Sequence, residues 1–252
     1  YCEKLEIDFS SSVFTPKQIS EIQSLNPAFI KIASMDLNYD LLIRKASLTG
    51  LPIVLSTGLS DLDEISHAVK TVEKTKNKNL VLLHCKSVYP PSDDKIDLNN
   101  IKTLMDKFNY PIGYSDHSIG YEVAIASFAL GAKVYEKHFT LDKKMDGWDH
   151  AISADPEEMK MIVNSAKKIY NALGKKERIV YSEELDMRKA FRRSIVAKEK
   201  IKLGEKIDLE MLDFKRPGIG IQPNDYIKIV GKIAIKDIEK DELISRNSVK
   251  EQ

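Results

Sequence analysis

The sequence predicts an α/β fold in which a parallel sheet of repeated βα units is followed by a smaller β-rich unit. Three observations carry this. From residue 7 to residue 174, short β-rich runs alternate with helix-length amphipathic stretches. Serine, lysine and histidine recur where those runs end, the rim on which a βα sheet builds its sites. Beyond Gly174 the pattern changes to short apolar runs broken by Gly204, Pro217, Gly218, Gly220, Pro223 and Gly231.

In chain order, strands are expected at 7–10, 29–32, 53–56, 80–84, 111–114 and 133–137, and helices at 16–24, 39–49, 61–75, 98–108 and 119–130. Within 61–75, Leu62, Ile65, Val69 and Val72 recur at helical spacing and are expected to face the sheet. Ser153, followed by Pro156 and Glu157, opens a last long helix that Gly174 ends. Six βα units stand against the eight of a closed barrel. The expectation is a (β/α)8 TIM-type barrel lacking about its first two βα units, with residues 1–5 the end of a helix whose start lies outside the sequence. An open doubly wound sheet would also hold six strands, but no Gly-rich phosphate turn follows the first one. The domains expected are residues 1–175, a charged linker over 176–190, and a β-rich domain over 191–252 with strands near 194–197, 227–230 and 233–235. Segments 198–213 and 237–249 echo each other weakly.

The 252 residues carry 39 basic and 38 acidic side chains with no long single-sign block, which offers no electrostatic footprint for nucleic acid and favours a small-molecule partner. Cys2 and Cys85 cannot form a metal knuckle and fit a reducing compartment. No apolar run reaches the roughly 18 residues of a membrane span. A cytoplasmic location is expected.

His117 and His138 each lie just past one of two neighbouring strands. On adjacent parallel strands, two imidazoles at one rim can share a divalent metal and polarise an oxygen bound to it. The other strand ends give Ser12, Lys31 with Ser34 and Asp36, Ser56 with Thr57 and Gly58, Ser87 with Tyr89, and Ser115. Hydroxyls around one ammonium suit a phosphate or carboxylate, although small residues also make tight βα turns. Trp148 and Asp149 follow the last barrel strand and suit either a sugar wall or a loop anchor. His67, His84 and His150 read as structural, and Lys215, Arg216, Pro217 and Gly218 as a rigid basic turn.

The motifs Lys31-Ile-Ala-Ser34, Leu55-Ser-Thr-Gly58, His84-Cys-Lys-Ser-Val-Tyr-Pro90, Ser115-Asp-His117, Glu136-Lys-His-Phe139 and Lys215-Arg-Pro-Gly218 together resemble the sialic acid synthase family, which includes N-acetylneuraminate, legionaminate and pseudaminate synthases. The resemblance runs over nearly the whole chain. It implies a TIM barrel joined to an antifreeze-like (SAF) β-clip domain, in domain-swapped dimers. The implied reaction condenses phosphoenolpyruvate with an N-acetylated hexose such as N-acetylmannosamine, giving a nine-carbon 2-keto sugar acid and phosphate. By the same resemblance, His117 and His138 hold a divalent metal, Mn2+ ahead of Mg2+ or Co2+, and Glu136 assists either as base or as an outer partner of the metal ligands. Lys31, Ser34, Ser56, Ser87 and Ser115 match phosphoenolpyruvate positions. Asp36, Tyr89, Asp149 and Arg216 match sugar positions, Arg216 reaching the partner's barrel. Asp36 stands where the family often has Glu, and Trp148 where it has Pro. The alternatives are a related condensing enzyme acting on a phosphorylated or 6-deoxy diamino sugar, and a non-catalytic sugar-binding scaffold.

Overall fold

The computed structural model describes residues 1–251, which divide into two units at Gly174 and Lys175. The first unit is built on a single six-stranded sheet whose spatial order is the chain order. Its elements are β1 (Ser11–Ser12), α1 (Pro16–Gln23), β2 (Ile30–Ile32), α2 (Asp40–Ser47), β3 (Ile53–Ser56), α3 (Leu62–Glu73), β4 (Leu80–Cys85), α4 (Asn100–Lys107), β5 (Ile112–Asp116), α5 (Glu122–Ala129), β6 (Tyr135–Lys137) and α6 (Pro156–Leu173). All pairings are parallel. Sequential order rules out a doubly wound sheet, whose strand order reverses at a switch point.

Caps mark three helix starts. Thr15 with Gln18, Asp61 with Glu64 and Asp155 with Glu158 each form a reciprocal capping box, which satisfies two otherwise orphaned amide groups apiece. The cap of α6 is therefore Asp155, and Ser153 lies outside the helix. Two other expectations are corrected. Residues 7–10 form no strand, β1 being Ser11–Ser12. In α3, Ile65, Val69 and Val72 are buried, but Leu62, in the first turn, is 37% exposed.

The sheet curls. Lys31 on β2 and Glu136 on β6 are four strand spacings apart, roughly 19 Å in a flat sheet, yet their charged groups lie 3.4 Å apart. The result is a half-barrel with a concave inside. Side-chain alternation then sorts each strand. Ile30, Ile32, Ile53, Leu55, Leu80 and Leu82, all fully or almost fully buried, belong to one continuous core with Leu42, Ile43, Ile65, Val69, Ile101 and Leu104 of the helices. The alternate residues line the concave side, apolar towards the strand starts (Val54, Val81, Leu83, Val134) and polar towards the strand ends (Lys31, Ser56, Ser115, Glu136). Gly113 allows the inner layer to close, since a Cβ there would strike the Val134 carbonyl and Leu83.

The second unit begins with α7 (Ser182–Phe191), which occupies most of the stretch expected to be linker; it buries no residue and so leaves no apolar stripe to read in the sequence. Two antiparallel pairs follow, β7 (Ser194–Ala197) with β8 (Leu212–Lys215), and β9 (Ile233–Ala234) with β10 (Val249–Lys250). The segment expected as a strand at 227–230 is instead the end of a 3-10 segment, Pro223–Lys228, and the turn that follows it. The internal echo is structural. Ile201 and Ile238 bridge one another, Gly204 and Asp241 both take positive φ, and Glu205 and Glu242 accept from the Lys202 and Glu239 amides. Each half then runs through a 3-10 turn into β8 or β10. Ile195, Ile201, Ile207, Ile238 and Ile244 form this unit's own core.

Candidate active site

The concave rim encloses a pocket of about 400 Å³, lined among others by Ser12, Lys31, Ser34, Ser56, Cys85, Ser87, Tyr89, Ser115, His117, Glu136 and His138. A larger hollow of about 900 Å³ runs outside the sheet beside α3 and α4 and shares only Leu59 and Cys85 with it.

His117 follows β5 directly and is 5% exposed. Its Nδ1 donates to the Lys86 carbonyl at 2.8 Å, which fixes the tautomer and leaves Nε2 with its lone pair and no hydrogen-bond partner among the described residues. His138 follows β6, with Nδ1 3.3 Å from Asp149 Oδ2. The two rings stand 5.4 Å apart, inclined at 62°. Burial alone would push the His117 imidazole down, but its contacts with the Cys85 sulfur and the Lys86 carbonyl outweigh that and raise it. Burial pushes His138 down, against the pull of Asp149. The Tyr89 ring packs on His117 at 4.0 Å, and burial holds its phenol above the ordinary range.

Glu136 is the hub of the pocket. Its Oε1 accepts from Ser115 Oγ at 2.6 Å, and its Oε2 lies 3.4 Å from Lys31 Nζ. Lys31 is 9% exposed, so its ammonium is a desolvated positive charge at the floor. Ser34 Oγ accepts from the Gly58 amide at 3.0 Å. Gly58 must be glycine, because a Cβ would collide with Ser87 Oγ and Ser34 Oγ. Ser56 Oγ, in the pocket lining, is buried with no hydrogen-bond partner among the described residues.

Asp36 is not a lining residue; it closes the 3-10 turn Ser34–Asp36, its Oδ2 buried without a partner and its carboxyl pushed up by burial. Asp149 joins the pocket through His138. Arg216 lies in the second unit, exposed, its guanidinium 5.4 Å from the Phe191 ring centre. His67, His84 and His150 bond Asp40, the Ile96 carbonyl and Thr140, away from the pocket. Cys85 was missed as a lining residue. Its signal was the period-two alternation backward from Ser87, and its Sγ sits 3.9 Å from His117 Nδ1. Burial alone would raise its thiol, but the bonds from His117, Ser34 and Ser115 more than offset it and lower it.

As a metal seat, the pair of imidazoles with engaged Nδ1 atoms and open Nε2 positions fits a divalent ion that keeps other positions for water or substrate. No group of three or more His, Cys, Asp or Glu suited to a metal occurs among the described residues.

The NeuB family matches residues 1–178, and the SAF domain matches residues 192–250. The chain belongs to the NeuB family. It is 46% identical, over 97% of its length and 72% of the relative's, to an uncharacterized protein of Methanocaldococcus jannaschii. It is 37% identical to the N,N'-diacetyllegionaminic acid synthase of Campylobacter jejuni, over 97% of this chain and 74% of that one. Among solved structures it resembles the N-acetylneuraminic acid (sialic acid) synthetase of Leptospira borgpetersenii in complex with citrate, with 34% identity and a TM-score of 0.70, covering 73% of this chain and 65% of that one. No helix among the described residues is long and apolar enough to cross a membrane.

Proposed function

We propose that this NeuB-family protein is a cytoplasmic, metal-dependent synthase that condenses phosphoenolpyruvate with an N-acetylated hexose of the N-acetylmannosamine type, giving a nine-carbon 2-keto sugar acid and phosphate. The observation that carries this reading is the pairing of two imidazoles, each with Nδ1 occupied, with a buried lysine and an unpartnered serine in one pocket.

In this reading Lys31, Ser34, Ser56, Ser87 and Ser115 seat the anionic substrate by charge-assisted hydrogen bonds. His117 and His138 hold the divalent ion, Mn2+ by preference, which supplies polarisation of the sugar's aldehyde oxygen. A C–C bond forms between the alkene carbon and the aldehyde carbon, water adds to the oxocarbenium carbon this creates, and phosphate leaves with the electrons of its C–O bond. Glu136, which accepts a hydrogen bond from Ser115 Oγ, is the base that takes the proton from the attacking water. Tyr89 and Asp149 face the sugar, whereas Asp36, outside the pocket lining, belongs to the turn that carries Ser34. Arg216, on an exposed turn, serves the pocket of a second copy in a domain-swapped dimer. The half-barrel belongs to a (β/α)8 barrel. Its edges β1 and β6 each pair on one side only among the described residues, and two more βα units between them would complete eight.

Phosphate release from phosphoenolpyruvate, with Mn2+ and a panel of N-acetylated hexoses that includes phosphorylated and 6-deoxy diamino sugars, tests the reaction and names the sugar. Release with none of them overturns the enzyme reading. Calorimetric binding of phosphoenolpyruvate without turnover would make the protein a scaffold.

A further inference from the structure

Asp116 and Lys137 play no part in the chemistry above, yet they are the most deeply buried charged pair in the first unit, with side chains 0% and 1% exposed. Asp116 precedes His117 and Lys137 precedes His138, and the two are register partners across β5 and β6. Their charged groups meet at 3.2 Å. Asp116 Oδ1 also accepts from Tyr114 Oη at 3.2 Å, from the Ser118 amide at 2.8 Å and from Ser118 Oγ at 2.7 Å. Its Oδ2 accepts from Tyr135 Oη at 2.7 Å. Lys137 Nζ donates in addition to the Ser118 carbonyl. Burial, then the Asp116 charge, pushes both tyrosine phenols far above their ordinary range, so both remain donors.

Strand β6 is three residues long and partly exposed throughout. So short a backbone ladder restrains its C-terminal end weakly. Tyr135 and Lys137, two residues apart on one face, both reach the same carboxylate, and the next residue is His138.

We propose that Asp116, through Lys137 and Tyr135, is the positioning residue that sets the spacing of His117 and His138. The inference rests on the metal-site reading above. A buried ion pair also admits a purely stabilising role, and replacing both partners by neutral groups is commonly near neutral for stability. The two roles therefore separate in the double variant Asp116→Asn with Lys137→Met.

The test compares wild type, that double variant and Tyr135→Phe, which removes one donor and keeps the ring. Three readouts are needed: Mn2+ dissociation constants from the paramagnetic resonance of free Mn2+, thermal unfolding, and crystal structures. The expected result is a double variant that unfolds near the wild-type temperature but binds Mn2+ at least about tenfold more weakly, as loss of outer support to a metal-binding histidine does, with Tyr135→Phe in between. Its crystal structure should show the rings displaced from their 5.4 Å spacing. Unchanged ring spacing, or wild-type Mn2+ affinity in both variants, overturns the positioning role. Wild-type protein that fails to bind Mn2+ overturns the metal reading instead, and ring spacing alone then decides the role of Asp116.

Discussion

The β2–β3 side of the pocket and the β5–β6 side differ in both their cargo and their support. Every residue of β2 and β3 is buried, and each strand has a neighbour on both sides. That side carries Lys31, Ser34 and Ser56, the proposed anion-binding set. On the other side β6 is short and partly exposed, yet it delivers Glu136 and His138, whose geometry the proposed chemistry depends on most. The β2–β3 wall is held by packing and backbone ladder, whereas the end of β6 is also held by a polar network about one carboxylate. Positional precision on a short strand is thus obtained from side chains as well as from the sheet.

The sharpest division is expected from the imidazoles. His117→Ala and His138→Ala should each abolish Mn2+ binding and metal-dependent turnover while leaving phosphoenolpyruvate affinity, measured by calorimetry, within a few-fold of wild type. Wild-type turnover in either variant would break the assignment of the β5–β6 wall. On the central side, Leu82 is fully buried, and Leu82→Ala should cost about 2–5 kcal/mol of unfolding free energy. In folded protein its Mn2+ affinity should be unchanged; a parallel loss would mean that the two walls are not mechanically separate. Lys31→Met should weaken phosphoenolpyruvate binding about 10- to 100-fold, the worth of a charge-assisted hydrogen bond of roughly 1.5–3 kcal/mol, with Mn2+ binding intact.

The smallest expected effect compares the two units. All five histidines lie in the first unit. Burial holds the His84 imidazole below its ordinary value of 6.5, against its bond to the Ile96 carbonyl. Unfolded chain therefore takes up a proton near pH 6.5 that the folded unit refuses, so the contribution of His84 is intact above that pH and is lost as the pH falls below it. Calorimetric unfolding between pH 7.5 and 5.5 should show a steeper loss for wild type than for His84→Gln, and equal slopes would remove His84 from the acid response.

Much of the central wall was legible. The buried runs at β3 and β4 open as unbroken apolar stretches, Ile53 to Leu55 and Leu80 to Leu83, α1 and α3 sit within a residue or two of their expected spans, and Lys31, Ser34, Ser56, Ser87, Ser115, His117, Glu136 and His138 do share one pocket. What escaped reading depends on distant partners or on missing stripes. Residues 7–10 look strand-like locally, but the pairing with β2 starts at Ser11. Helix α7 has no buried face to give it a period. The Asp116 network joins donors from β5, β6 and the loop between β5 and α5, and nothing in the local spacing of those residues announces it.

Glu136 engages both of its oxygens before any substrate arrives, one with Ser115 and one with Lys31. The cleft therefore contains its own counter-ion. In the proposed reaction, an anion docking at Lys31 would compete for the ammonium and loosen one carboxylate oxygen of the proposed base. Such an interlock favours entry of the anionic substrate before the aldehyde, an order that initial-rate kinetics should show.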